Sequence, residues 1–338
     1  MVTMRQIAKR AGVSIGTVSH VVNGTARVRE PLRRRVEVAI EQLGYQPSVL
    51  ARSLRRNQSP MLGVIIPDIT NPFFPAVVRG IEDVAYAHST QIVLCNADND
   101  RLKERAYLDQ LHSIRVTGMI VIPSADSEFP DFAARLRENV PLVCLDRPLA
   151  EWSGDYIGVD NEAGAYMVTK YLVRLGHRRL AMISGPLSIR NAQERLAGFR
   201  RALAEASLSE VAVEQAGFDR PSGLEAARRL VQLTPGPSAI FAANDLLAVG
   251  ALAALREKGL RCPDDVAVVG FDDLELAAFT DPPLTTVAQP GYAMGRCAAE
   301  ALFQRLQHPE TAAQLVILDT ELKIRRSCGA FLGVEQGA

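Results

Sequence analysis

The stretch VSIGTVSHVVN, residues 13–23, reads as a short helix with one apolar edge. Val18, Val21 and Val22 form that edge because they recur at helical spacing, and His20 lies off it. The function of this helix depends on what its polar edge faces. If the polar edge faces nucleic acid, the helix reads DNA; if it faces protein, the helix is an ordinary core element.

Short helices are also predicted on both sides of this stretch. In TMRQIAKRAGVS, Thr3 and Gln6 have capping-box spacing, and Gly12 ends an apolar helical pattern. Ser14 then caps the second helix, and a third helix follows with Pro31 in its first turn. Two short helices joined by a tight turn with glycine are typical of a helix-turn-helix. We therefore expect the polar edge of the second helix, led by His20, to face bases in the major groove.

The charges of the chain are segregated, although the formal net charge of its 338 residues is zero. The first 60 residues contain eleven Lys or Arg and three Asp or Glu, a net charge of +8, and the other 278 contain 27 and 35, a net charge of −8. DNA phosphates attract a basic module of this kind whatever their sequence. A solvated basic face without a partner is the alternative.

The segment PSVLARSLRRNQ follows the three helices and has the pattern of a short fourth helix. Ser48 can cap it, and Leu50 and Leu54 are four residues apart. An isolated helix this short is marginal in water, so a partner copy and DNA would have to order it. Leu54 would then be an apolar wedge in the minor groove with Arg55 beside it. A plain basic linker is the alternative.

Several classes of protein are disfavoured by composition. The five cysteines are scattered without C-x-x-C spacing, which fits a reducing cytoplasm better than a zinc or redox site. The first thirty residues have no apolar core followed by a cleavage site, and no window holds eighteen apolar residues in a row. We expect a cytoplasmic protein with no metal, no cofactor and no membrane partner.

Beyond residue 61, apolar strands alternate with amphipathic helices, which indicates α/β organisation with parallel sheets. Because their apolar runs are mostly continuous, we expect these strands to be buried on both faces. The predicted strands are LGVIIP, QIVLCN, GMIVIP, PLVCLD, LAMISG, AIFAAN and VAVVGFD. Polar residues cluster where these strands end, and open α/β sheets bind ligands beyond the carboxyl ends of their strands. Carboxylates, guanidinium groups and amides suit vicinal hydroxyls, and aromatic rings could cover a sugar. The residues of this predicted cleft are Asp68, Asn71, Phe73, Phe74, Asp146, Arg147, Arg195, Phe218, Asn244 and Asp272.

The N-terminal segments TVSHVVN, LGYQPS and ARSL resemble the headpiece of the lactose/galactose repressor (LacI/GalR) family of transcriptional regulators. The resemblance continues over nearly the whole chain. It implies paired hinge helices that insert the leucine matching Leu54 into a central base step. The chain departs from the usual pattern at Ile15, at Gly16 and at Arg29, where a capping Ser or Thr is commoner. The candidate DNA contacts are Ile15, Gly16, Thr17, His20, Asn23, Arg29, Leu54 and Arg55.

The larger part of the chain also resembles periplasmic ribose-binding proteins. The segments TNPFF, LDRP, ERLAGF, GFDR, ANDLLAVGA and VVGFD match their ligand loops, and TTVAQP adds Gln289 to the predicted cleft. The resemblance implies a small unphosphorylated sugar, ribose first and other pentoses or hexoses as alternatives. It implies that the sugar is an inducer that weakens operator binding, with corepression by another small ligand as the alternative.

The expected organisation is a helix-turn-helix headpiece and hinge helix joined to a two-subdomain, periplasmic-binding-protein-like (type I) α/β body. The expected segments are a headpiece over residues 1–46, a hinge helix and linker over 47–60, and an effector-binding and dimerisation body over 61–338. The body would comprise an N-subdomain of about 61–160 and 290–320 and a C-subdomain of about 161–289 and 321–338.

Three functions compete at this point. The leading one is a DNA-binding regulator that acts as a homodimer on a pseudo-palindromic operator, with dimer versus tetramer left open. A secreted sugar receptor is disfavoured by the basic headpiece. An enzyme is disfavoured because no G-x-G-x-x-G, P-loop or nucleophile paired with a base is present. Asp146 and Asp272 resemble a glycosidase pair, but neighbouring arginines should hold both ionised and leave no general acid.

Overall fold

A computed structural model of the chain describes residues 2–23, 26–45, 59–124, 140–148 and 152–330. The chain divides into two compact units, residues 1–59 and 60–338, which we call the headpiece and the body. Most of the predicted hinge, residues 47–58, lies outside the described ranges, whereas Ser59 and Pro60 begin the first strand.

The described part of the headpiece forms three helices, α1 (Met4–Ala11), α2 (Ile15–Asn23) and α3 (Glu30–Leu43). The predicted capping box at the start of α1 is present, and Gly12 ends this helix with a φ of 63°. Ser14 Oγ accepts a hydrogen bond from the backbone N–H of Thr17 at 3.1 Å, so it caps α2 as predicted. The helix-turn-helix is therefore confirmed, with both caps supplied by the residues that the sequence indicated.

The headpiece core confirms the apolar edge of α2. Val18 is fully buried together with Ile7 of α1 and Val36 of α3, and Val21 and Val22 pack against this cluster. A core this small commits one side of α2 to packing. The opposite side, which carries His20, remains exposed.

The first lobe of the body, which we call the N-lobe, is built on a six-stranded sheet of order β11-β5-β4-β3-β1-β2. Its strands are β1 (Ser59–Ile66), β2 (Gln91–Asn96), β3 (Val116–Val121), β4 (Leu142–Leu145), β5 (Asp155–Val159) and β11 (Leu315–Leu318). Its helices are α4 (Phe73–Ala87), α5 (Arg101–Ser113) and α10 (Gly291–Gln307). The pairs β1–β2, β3–β4, β4–β5 and β5–β11 are parallel, as predicted.

The second lobe, the C-lobe, repeats this arrangement with the order β12-β10-β9-β8-β6-β7. Its strands are β6 (Leu180–Ser184), β7 (Val213–Gln215), β8 (Ala239–Ala242), β9 (Ala267–Asp272), β10 (Thr285–Ala288) and β12 (Glu321–Lys323). Its helices are α6 (Asn161–Arg174), α7 (Arg190–Glu205), α8 (Arg220–Leu230) and α9 (Asp245–Glu257), and 3₁₀ turns lie at Glu275–Ala278 and Arg326–Cys328. In the described part of this sheet, the edge strand β12 alone runs antiparallel to its neighbour, β10.

The chain passes between the two sheets after β5, after β10 and between β11 and β12. The two-lobed α/β fold class is therefore confirmed. One expectation about the strands is wrong: QIVLCN forms β2 but is not buried on both faces, because β2 lies at the sheet edge and exposes Leu94. Within the described ranges, none of the helices combines the length and apolar character that a membrane crossing needs.

Candidate functional site

The exposed side of α2 carries most of the predicted base contacts. Ile15, Gly16 and His20 are exposed, and the Ile15 side chain is 45% accessible at the start of the helix. Thr17 is half-buried, and its hydroxyl lies 2.9 Å from Ser14 Oγ. The structure therefore presents Ile15 and His20 to solvent, whereas Thr17 has part of its hydrogen-bonding capacity engaged within the turn.

The remaining predicted DNA contacts lie further along the headpiece. Asn23 ends α2, and exposed Arg29 occupies the cap position of α3 without a side-chain hydrogen bond to the helix. A cation at a helix N-terminus opposes the helix dipole. Capping therefore does not explain why Arg29 occupies this position. Leu54 and Arg55 lie outside the described residues.

In the N-lobe, one loop places three of the predicted cleft residues. Asn71 follows β1 and accepts a hydrogen bond from the backbone N–H of Phe73 through Oδ1 at 3.1 Å. Phe73 and Phe74 begin α4, are buried, and meet edge to face with ring centroids 5.4 Å apart. Asn71 therefore fixes the start of the helix that carries both rings.

Asp146 and Arg147 follow β4 and are both 4% exposed. Asp146 has a φ of 63°, a left-handed conformation that few non-glycine residues adopt. Arg147 Nη1 donates to Asn99 Oδ1 at 3.0 Å and lies 3.2 Å from the carbonyl oxygens of Pro123 and Ser124. Three oxygens from neighbouring loops thus hold this guanidinium in place.

In the C-lobe, Arg195 of α7 is held just as firmly. Its Nε donates to Asn161 Oδ1 at 2.9 Å, and its Nη1 donates to the carbonyl oxygen of Ala243 at 2.5 Å. The guanidinium carbon lies 3.8 Å from the ring centroid of Phe271, and Nη1 lies 3.6 Å from Asp272 Oδ1. Phe271 was not among the predicted cleft residues, although the quoted segment VVGFD contains it.

Asn244 and Phe218 are joined at the carboxyl ends of β7 and β8. Asn244 caps α9 by accepting from the backbone N–H of Leu247 at 2.8 Å, and its Nδ2 lies 3.4 Å from the carbonyl oxygen of Phe218. Phe218 is half-buried beside a cavity of about 630 Å³ whose walls also include Asp68 and Ser124 of the N-lobe. The two lobes therefore face each other across a cleft.

Asn191 crosses this cleft and was not predicted. Its Nδ2 donates to Asp146 Oδ1 at 3.1 Å, which links α7 of the C-lobe to the end of β4. Asn191 precedes Arg195 by four residues and so shares its helix face, a spacing that could have revealed it. The Oδ1 of Asn191 and the Oε1 of Gln289 are buried and have no hydrogen-bond partner among the described residues.

Burial dominates the electrostatics of the cleft. The pKa of Asp272 is raised to about 7, because burial outweighs the neighbouring Arg195 and the hydrogen bond from Gln289 Nε2 at 2.6 Å. Burial also raises the pKa of Asp146 and lowers that of Arg195. The expectation that the arginines hold both carboxylates fully ionised is therefore wrong for Asp272, because desolvation of the closed cleft exceeds the attraction between the charges.

Two arginines and two aspartates, all 4–6% exposed, thus lie close together. The ring of Phe74 borders this cluster, with its centroid 5.9 Å from the guanidinium carbon of Arg147. In the part of the chain that the structure describes, no group of three His, Cys, Asp or Glu side chains is arranged to hold a metal ion.

Two protein-family models match the chain. The model for bacterial regulatory proteins of the lacI family matches residues 3–48, and the model for a periplasmic binding protein-like domain matches residues 169–328. Among curated relatives, the HTH-type transcriptional repressor PurR of Photobacterium profundum is 35% identical and covers 97% of this chain and 98% of its own. The ribose operon repressor of Escherichia coli K12 is 37% identical and covers 97% of this chain and 100% of its own.

Solved structures show the same likeness. The lac repressor dimer bound to operator and the anti-inducer ONPF is 30% identical, with a TM-score of 0.87 over 97% of this chain and 99% of that one. A LacI family transcriptional regulator from Enterococcus faecium with bound ribose is 31% identical, with a TM-score of 0.71 over 79% of this chain and 98% of that one.

The headpiece, the two-lobed body and these relatives define a DNA-binding transcriptional repressor. The chain belongs to the lacI family of bacterial regulatory proteins, which confirms the resemblance found in its sequence.

Proposed function

We propose that the cleft between the two lobes binds a small unphosphorylated sugar, with ribose as the first candidate, and that the bound sugar weakens operator binding. The sugar would be enclosed by Asn71, Phe73, Phe74, Asp146, Arg147, Arg195, Phe218, Asn244, Asp272 and Gln289, together with Asn191.

The observation that carries this proposal is the pair of buried amide oxygens without partners. Asn191 Oδ1 and Gln289 Oε1 each need a hydrogen-bond donor, since a buried polar group without one costs about 1–3 kcal/mol. A sugar hydroxyl is such a donor, and it also accepts from a guanidinium. Adjacent hydroxyls suit the planar arginine and aspartate groups beside these amides.

The acidic side chains of the cleft disfavour a phosphorylated ligand. A phosphate would enter beside the carboxyl groups of Asp146 and Asp272, and any negative charge on these groups would repel it. The ribose bound by the Enterococcus faecium relative and the name of the Escherichia coli relative support the same ligand class.

A purine corepressor is the second candidate. It is favoured by the PurR relatives, one of which matches 97% of this chain at 35% identity. Against it stand the segments NPFF and LDR, which supply Phe73, Phe74, Asp146 and Arg147 and which follow the ribose-type pattern in this sequence.

On the DNA side, we infer that the protein is a cytoplasmic homodimer that binds a pseudo-palindromic operator. One headpiece offers a single α2 and therefore reads one half-site. The lac repressor relative is a dimer bound to operator. The proposed segments remain 1–46 for DNA binding, 47–60 for the hinge and 61–338 for effector binding and dimerisation.

Calorimetric titration of the full chain tests the ligand directly. D-ribose, D-xylose, D-glucose, ribose 5-phosphate, hypoxanthine and guanine are titrated into wild type, Arg195→Ala and Arg200→Ala. Arg200 lies on the same helix but is exposed and pairs with Glu210, so it is a matched control. We expect tight binding of a free sugar that Arg195→Ala weakens about tenfold or more and Arg200→Ala leaves unchanged.

Two results would overturn the proposal. One is a purine or ribose 5-phosphate as the only tight ligand. The other is a sugar affinity that Arg195→Ala and Arg200→Ala change equally, because the buried guanidinium would then have no particular part in binding.

A further inference from the structure

Asp245, the first residue of α9, is a fully buried carboxyl group next to the cleft. It follows Asn244 in the segment ANDLLAVGA, but it was not among the predicted cleft residues. Its exposure is 0%, lower than that of Asp146 or Asp272. A carboxyl group so far from water requires partners.

The partners of Asp245 come from the ends of β9 and β10. Its Oδ2 accepts a hydrogen bond from the backbone N–H of Leu274 at 2.7 Å. Its Oδ1 lies 2.6 Å from the hydroxyl oxygen of Thr286. Gly270 makes room for the group, since a Cβ there would lie 2.2 Å from Oδ1. One side chain of α9 thus bridges two adjacent strands.

The bridged segment is the turn that presents Asp272 to the cleft. Asp272 has a φ of 110° and Asp273 a φ of 53°, so two consecutive non-glycine residues lie in the left-handed region. Such residues are energetically costly and persist only where their surroundings hold them. The next amide, that of Leu274, is the one that Asp245 binds.

We propose that Asp245 is a positioning residue for effector binding: through Leu274 and Thr286 it holds the turn after β9 and so fixes the carboxyl group of Asp272. The proposal rests on the proposed function, because it takes Asp272 to contact the effector.

The charges around Asp245 support the neutral form. Burial raises its pKa well above the usual value and the carboxylate of Asp272 raises it further, and together they outweigh the hydrogen bonds with Thr286 and Leu274, which lower it. The nearby guanidinium of Arg195 is paired with Asp272 rather than with Asp245, and its Nη1 lies 3.6 Å from Asp272 Oδ1. Arg325 donates to Asp273 at 2.7 Å. A neutral acid can donate to Thr286 Oγ1 while it accepts from Leu274, and so can the amide of an asparagine.

Because an asparagine can make the same hydrogen bonds as a neutral acid, the test compares Asp245→Asn, Asp245→Ala and a control, Leu255→Ala. Each variant is titrated with D-ribose. Leu255 is a core residue of the same helix, so its truncation lowers stability without touching the turn. We expect Asp245→Asn to bind D-ribose within about threefold of wild type and Asp245→Ala about tenfold or more weakly. Leu255→Ala should keep wild-type affinity despite its lower melting temperature.

A crystal structure of unliganded Asp245→Ala tests the turn independently of any sugar. We expect Asp272 to leave its positive φ, and an unchanged turn overturns the proposal. This result does not depend on a ligand: absence of D-ribose binding by wild type would count against ribose as the effector and would leave the test of the turn standing. Equal loss of affinity in the Asn and Ala variants overturns the neutral form. If Asp245→Ala does not fold, Thr286→Val removes one of the two contacts, and wild-type affinity together with an unchanged Asp272 φ in that variant overturns the proposal.

Discussion

Asp272 lies in surroundings that oppose its charge, and this has a measurable cost. Its pKa is raised to about 7 in the folded protein, against an ordinary value near 3.9 in an unfolded chain. The folded state therefore binds this proton more tightly than the unfolded state does. Stability from this group is fully present below about pH 4 and is lost as the pH rises to about 7.

Asp272→Asn should remove this loss. The unliganded variant should gain stability relative to wild type as the pH rises from about 4 to about 7, by up to ~4 kcal/mol, and the difference should then level off. Urea unfolding of both proteins at several pH values, followed by the fluorescence of Trp152, the single tryptophan, measures it. Stability curves that stay parallel over this pH range would contradict the raised pKa.

On the DNA side, the residue with a testable role is His20 of α2. It is exposed on α2, opposite the buried Val18, at a position where a recognition helix meets base edges. His20→Ala should relax the preference for one base pair in each half-site by about 1 kcal/mol. Selection of binding sites from randomised DNA by the two proteins measures this. An unaltered base preference at every position would rule out direct readout by His20.

At the scale of helices and strands, local sequence pattern best predicted the elements that depend on residues close together in the sequence. QIVLCN matches β2 in full, and the first two headpiece helices begin at their predicted caps. The strands β5, β7, β10, β11 and β12 were not predicted. The last two are short edge strands of four and three residues, and β11 pairs with β5, which is more than 150 residues earlier in the sequence. Such pairing depends on the whole fold rather than on local hydrophobic pattern.

The hinge is the element whose role rests on sequence alone. Leu54→Ala should weaken specific operator binding, because the wedge would no longer open the central base step, and should leave salt-dependent binding to random DNA nearly intact. Titrations of operator and random DNA at several salt concentrations separate the two effects. An equal fall for both kinds of DNA would show that Leu54 has no wedge role.

At the scale of the whole molecule, the sequence predicted which residues meet in the cleft but not how the lobes close on them. Strand ends predicted Asp146 and Asp272 because the carboxyl ends of parallel strands meet at one edge of a sheet. Asn191 was not predicted because its partner Asp146 lies on the other lobe. That contact depends on the distance between the lobes, which local pattern does not encode.

Under the proposed function, the same closure would couple effector binding to DNA binding, since a ligand shifts DNA binding only if its affinity differs between the two states of the protein. An effector enclosed by both lobes, with Asp146 on one and Asn191, Arg195 and Asp272 on the other, meets this condition because it contacts both lobes fully only when they are closed.

Titration of the full chain with an operator selected from random DNA, with and without saturating D-ribose, tests the central claim most directly. Fluorescence anisotropy of the labelled operator gives the affinity, and Arg195→Ala provides the control for the cleft. We predict that D-ribose weakens operator binding by ~1–3 kcal/mol, about 5- to 150-fold, in wild type and has no effect on Arg195→Ala. Operator binding that is unchanged or tighter at saturating D-ribose would contradict the account.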